Sequence, residues 1–184
     1  MGERITIKMD AKELRQLNAV FKTMSKDAQN QVRDVTLLLS RKAAREIQMR
    51  AFAFPASQPY VGQAHLIAHT VRANRDRVPN ITIGGARVAQ VSRKATPSSP
   101  KPRVGQLLMG NEFGVKRTSR MVGNGKGQFK QGGYKFPSWS GTNPTGAGSK
   151  GWWIFPTLRK MQPEIRQKYH MVIDSIILKD WMHK

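Results

Sequence analysis

The sequence predicts an α+β fold, with two amino-terminal helices and a carboxy-terminal helix packed on a small antiparallel sheet. Three observations predict it. Apolar residues recur every three or four positions near both ends of the chain; they alternate with a period of two over "NITIGGARVAQV"; and a long basic, glycine-rich stretch without periodicity separates that segment from the last helix. At 184 residues the chain reads as a single domain over 1–184.

Asp10 and Glu13 have the spacing of a capping box, and Leu14, Leu17, Phe21 and Met24 then fall on one helical stripe. Ser25 and Asp27 suit the cap of a second, longer helix. Its stripe of Ala28, Val32, Val35, Leu39, Ala43 and Ile47 runs to about Phe52. Its outer face carries Arg33, Arg41, Lys42, Arg45 and Arg50, which read as the charged cover of an amphipathic helix.

Pro55 and Pro59 end that helix, and "GQAHLIAHTVRA" reads as a short helix leading into extended chain. Ile81, Ile83, Val88 and Val91 predict two strands with Gly84-Gly85 as the turn or bulge between them. Residues 92–103 are rich in Pro and Ser and predict an exposed loop. Residues 115–151 form a basic, glycine-rich insertion without an acid, carrying Lys116, Arg117, Arg120, Lys126, Lys130, Lys135 and Lys150 among scattered aromatics. Beyond "GWWIFPTLRKMQ", Pro163 suits the first position of a final helix, with Ile165, Tyr169, Val172, Ile173, Ile176 and Ile177 as its apolar stripe.

A formal charge of +21 and a pI near 11.2 imply self-repulsion that a polyanion or an acidic protein surface offsets. Cysteine is absent, which excludes disulfides, thiolate catalysis and zinc sites built on Cys. No apolar run approaches the roughly 18 residues of a membrane span, and the first residues lack the apolar core of a signal peptide, so no membrane partner is expected.

Enzymatic motifs find little support. "GTNPTGAGSKG" places Ala147 where a phosphate loop needs Lys, and no strand precedes it. His65 and His69 are four apart, but "LIA" between them lacks the Glu of a zinc hydrolase, so they read as a surface or partly buried pair. The eleven acids are scattered singly, with no paired carboxylates for hydrolytic or two-metal chemistry. No catalytic residue, metal ligand or cofactor is expected.

One acid stands apart: Glu112, in "LLMGNEFGVKR", is the only carboxylate between Arg77 and Pro163. In order along the chain, Pro59 with "VGQAHLIAHTV", then Glu112-Phe113-Gly114, then Phe155-Pro156-Thr157-Leu158 resemble the head–tail joining or tail-completion family of tailed bacteriophages. The resemblance spans most of the chain, although in that family "EFG" is commonly followed closely by "FP", whereas here about forty residues intervene.

The resemblance implies a non-enzymatic virion protein of the neck or proximal tail, assembled in the host cytoplasm. It implies a homo-oligomeric ring, six-fold favoured, around the DNA passage, with connector and tail-terminator or tail-tube proteins as neighbours. Glu112 is then expected to pair with an Arg or Lys of the same or an adjacent subunit, against the plainer reading of an exposed turn acid. Trp152, Trp153, Phe155 and Pro156 are expected to form an aromatic anchor in the core or at a subunit contact. The insertion's basic residues are expected to touch DNA without regard to sequence, or a neighbouring protein. The rival reading is a nucleic-acid-binding module of ribosomal or chromatin type, with "VKRTSRMVGNGKGQFKQGGYK" as its contacting arm.

Overall fold

A computed structural model describes residues 11–53, 61–86, 103–114, 129–131, 134–137, 139–142 and 150–182. They comprise helices and small antiparallel hairpins, an α+β mixture: α1 (Ala11–Thr23), α2 (Lys26–Phe52), α3 (Val61–Ala68), β1 (Arg72–Asn74), β2 (Asn80–Thr82), α4 (Val104–Phe113), β3 (Phe129–Gln131), β4 (Tyr134–Phe136) and α5 (Ile154–Met182). Contacts within the chain group into two compact units. One is built on Arg45–Val71 and Ile83–Lys160; the other on Ile5–Ala44, Arg72–Thr82 and Met161–Lys184.

In the second of these units the stripes expected from the sequence meet one another. Phe21 and Met24 of α1, Ala28, Val32 and Leu39 of α2, and Tyr169, Ile173 and Ile176 of α5 form one buried cluster. Val78, in the turn between β1 and β2, packs at its edge. Ser25 sits between α1 and α2, where its Oγ accepts the N–H of Ala28 (3.2 Å) as an N-cap. Its own N–H and hydroxyl donate to the Asp180 carboxylate, the former at 3.1 Å. Gln29 Nε2 donates to the carbonyls of Phe21 (2.9 Å) and Met24 (3.2 Å), which serves acceptors left open where α1 ends.

The β1–β2 hairpin is tied to the same helices. Its register pairs Arg72 with Thr82, Ala73 with Ile81 and Asn74 with Asn80. Ser40 Oγ of α2 accepts the Asn80 N–H (2.8 Å) and donates to the Thr36 carbonyl (2.8 Å), so a buried hydroxyl is used in both roles. Tyr169 Oη donates to the Arg77 carbonyl (2.8 Å) in the turn, and Arg75 Nε reaches Asp34 of α2 at 2.7 Å. The strand containing Ile81 pairs with Arg72–Asn74, a pairing that the sequence pattern did not indicate. Gly84 and Gly85 do have positive φ, 91° and 116°, while Val88 and Val91 lie outside the described residues. The pairing is supported by Asn74, Asp76 and Asn80, whose side chains bond one another across the turn.

In the other unit, α3 packs on α4. Ile47 and Ala51 of α2, Ala64, Ile67 and Ala68 of α3, Leu107 and Leu108 of α4, and Trp153 and Ile154 are buried there. β3 and β4 pair Phe129 with Phe136, Lys130 with Lys135 and Gln131 with Tyr134. Phe136 lies against Gly110 so closely that a Cβ on that glycine would stand 2.5 Å from the ring. Helix α4 has no counterpart among the elements that the sequence pattern predicts.

The start of the last helix differs from its sequence expectation. α5 begins at Ile154, and Pro163 lies inside it. A proline within a helix removes one N–H and crowds the preceding turn, which is why it reads locally as a first position. Here a helix of 29 residues, with buried side chains both before and after Pro163, carries that loss.

Candidate functional site

The site is the junction where α4 ends and α5 begins. Helices leave their first N–H groups without internal partners. At α5 these belong to Trp153, Ile154 and Phe155; the next residue, Pro156, has no N–H at all. All three donors are taken by one side chain. Glu112 Oε2 accepts Trp153 N (3.1 Å) and Ile154 N (2.9 Å), and Oε1 accepts Phe155 N (2.8 Å). Glu112 thus caps a helix 41 to 43 residues further along, at the end where the helix dipole favours a negative group.

The Glu112 side chain is fully buried, as is Asn111 beside it. Asn111 Oδ1 accepts the indole N–H of Trp153 (3.0 Å), and Trp153 O accepts the Thr157 hydroxyl (2.6 Å). The rings of Phe113 and Phe155 lie 5.2 Å apart, and the Arg159 guanidinium sits 5.6 Å above the Phe155 ring. Gly151 turns the chain with φ of 75°, and a Cβ there would stand 2.1 Å from Glu112 Oε1. The bare glycine is what lets the carboxylate reach the helix end.

Burial pushes the Glu112 carboxyl up to about 7, against the pull of the N–H groups of Ile154, Phe155, Trp153 and Trp152, which favour the anion. A carboxyl whose folded value lies above its unfolded one contributes stability below about pH 4.5, and that contribution is lost as pH rises through about 7. Thermal stability is therefore expected to fall between those limits, and Glu112→Gln to be flatter across them; equal slopes in both proteins are the contrary result. Glu164 works in the other direction. Hydrogen bonds from Lys168 and Lys42 hold it down to about 2, so its contribution is lost only as pH falls below about 4.5.

The main chain closes around the same point. Phe113 O accepts Ser140 N (2.9 Å), Glu112 O accepts Trp152 N (2.8 Å) and Gly141 O accepts Lys150 N (2.9 Å). The chain leaves α4 at Gly114, whose φ is 73° and whose N–H donates to Gly110 O (3.0 Å), and returns to α4 at Ser140 and again at Trp152.

Of the residues singled out from sequence, Glu112, Phe113, Gly114, Trp153 and Phe155 meet here. The pairing of Glu112 with Arg or Lys gives way to main-chain N–H groups: burial excludes the long cationic side chains, and three convergent donors fill both oxygens. Trp153 is buried, Phe155 half-buried, and Trp152 and Pro156 are exposed. Lys130 and Lys135 are opposite one another in the β3–β4 register, and Lys150 is exposed with its carbonyl accepting from Arg159. Lys116, Arg117, Arg120 and Lys126 lie outside the described residues.

No sequence pattern singles out Asn111 or Gly151. A signal for the junction was present in "WWIFP", where a proline in the first turn leaves three open donors, and in a solitary acid within an apolar run.

His65 is half-buried and His69 exposed, and both rings lie against Phe52, at 5.1 and 5.6 Å. Among the described residues no group of three His, Cys, Asp or Glu is placed to hold a metal ion, and no helix is long and apolar enough to cross a membrane. Both Glu112 oxygens are engaged by main chain, an arrangement that fixes two helices and presents no free base to a ligand. Comparison with protein-family models, with curated proteins and with solved structures found no match.

Proposed function

We propose that the chain is a structural, non-enzymatic subunit of the neck of a tailed bacteriophage, joining tail to head around the DNA passage. In this reading it forms a homo-oligomeric ring, six-fold favoured, beside connector and tail-terminator or tail-tube proteins in the virion. Helices packed on a small sheet form the body, and the basic glycine-rich segment 115–151 is an insertion that meets DNA or a neighbouring protein.

The observation that carries this reading is the meeting of two segments forty residues apart. Glu112-Phe113-Gly114 and Phe155-Pro156-Thr157-Leu158, on which the family resemblance rests, are joined by the Glu112 cap and the Phe113–Phe155 contact. That is the expected outcome if the intervening chain was added to a scaffold in which "EFG" and "FP" are adjacent. The net charge of +21 supports a polyanionic surface nearby.

The test is the assembly state and DNA affinity of the purified chain. A neck subunit forms closed rings in electron micrographs and binds DNA weakly when alone. If about six phosphates are neutralised, log affinity falls against log salt with a slope of roughly −5. Substituting Lys116, Arg117 and Arg120 by Ala is expected to roughly halve that slope. A monomer that binds RNA or DNA tightly, with the same steep slope, is the nucleic-acid-binding module and overturns the neck reading.

A further inference from the structure

The last three turns of α5 carry a face opposite its buried one. Ile173 and Ile176 are buried, whereas Met171 is 65% exposed, Leu178 62% and Met182 77%. With Ser175, also exposed, these residues follow one another at steps of four, three and four. That is the d, a, d, a seam of a two-stranded coiled coil. The Ser175 hydroxyl already donates to Val172 O (2.8 Å), so the residue can be covered without losing its partner.

The flanks of the seam carry unlike charges. Asp174 lies at the g position on one side and Lys179, five residues on, at the following e position on the other; both are exposed. In a parallel, in-register pair, g of one helix faces the following e of its partner. In an antiparallel pair each flank faces its own copy, so Asp174 would meet the Asp174 side. Charge complementarity therefore selects a second copy of this same segment, running in the same direction.

We propose that α5 of one copy packs in parallel on α5 of a second copy along Met171, Ser175, Leu178 and Met182, with Asp174 of each opposite Lys179 of the other. Helix α5 is already ordered by its own cluster, so association does not have to fold it. The charge of +21 on each copy opposes approach, and at 0.15 M salt a screening length of about 8 Å confines that repulsion to short range. The inference goes beyond the neck reading, because it requires only that two copies meet.

Sedimentation of the full chain over a concentration series tests it. Reversible self-association is expected. Leu178→Asp removes it while leaving the far-ultraviolet dichroism of the fold, since Leu178 lies outside the buried cluster. Asp174→Lys and Lys179→Asp each weaken association by roughly tenfold, and the double swap restores it. The chain has no cysteine, so Leu178→Cys under mild oxidation is expected to give a disulfide-linked pair, and Gln162→Cys, on the other side of α5, is not. A monomer at every concentration overturns the proposal, as does unchanged association of Leu178→Asp or a double swap weaker than either single change. Rings formed by Leu178→Asp protein with wild-type affinity remove the seam and leave the neck reading standing.

Discussion

Glu112→Ala is expected to destabilise the protein by roughly 3–5 kcal/mol, since it strips the acceptors from three main-chain donors and leaves a cavity. The donors are the N–H groups of Trp153, Ile154 and Phe155, at 2.8 to 3.1 Å from the carboxylate. Each sits where water has little access, because Trp153 and Ile154 are buried and Glu112 itself is enclosed. Relief of the buried carboxyl's desolvation works against the loss but does not replace the missing acceptors. Urea denaturation followed by tryptophan fluorescence measures the change, with Trp153 as the reporter closest to the site. A loss below about 1 kcal/mol, the range of an exposed cap or surface acid, is the result that removes Glu112 from its role.

Gly151→Ala is expected to cost more than about 3 kcal/mol, from two separable sources. The first is its φ of 75°, which any L side chain resists. The second is the 2.1 Å approach of a Cβ to Glu112 Oε1. A carboxylate at the end of a free side chain would swing aside, but this one is held by three N–H groups, so moving it forfeits the cap. Gly141 provides the control: its φ is 83° and a Cβ there meets nothing within 4 Å, so Gly141→Ala is expected to cost only about 1 kcal/mol. The steric part is tested by a cycle. In a Glu112→Ala background, Gly151→Ala is expected to cost clearly less than in the wild type, because the carboxylate it strikes has gone, but still more than the Gly141 change, because a Cβ there also stands 3.0 Å from Phe155 Cβ. Additive effects would show that Gly151 and Glu112 are not in contact.

The amphipathic stripes of α2 and α5 were legible because burial on one side of a helix imposes its period on the sequence. Phe21, Val32, Leu39, Tyr169, Ile173 and Ile176, all marked by spacing alone, do lie in one cluster. The hairpin was half legible. Alternation located Ile81, yet its pairing with Arg72–Asn74 rests on side-chain bonds within the 74–80 turn and on the seat that Ser40 offers Asn80, which no periodicity reports; the partner expected past Gly84-Gly85 lies outside the described residues. Helix α4 is hard to read from "VGQLLMGNEF" because its buried face, Val104, Gly105, Leu107 and Leu108, is completed by polar Asn111 and Glu112 while Met109 is exposed, so apolar residues do not mark one side.

The chain by itself determined that α2 and α5 are amphipathic helices, that cysteine chemistry is absent and that the protein carries a large positive charge, since these are properties of local spacing and composition. Only the tertiary structure decided where α5 begins and what Glu112 does. A helix start is set by whoever satisfies its open N–H groups, and here the acceptor comes from a residue forty positions earlier, brought in by the close turn at Gly151. In sequence such a carboxylate is indistinguishable from a surface acid awaiting a cation; its burial, and the three donors aimed at it, exist only once α4 and α5 have met.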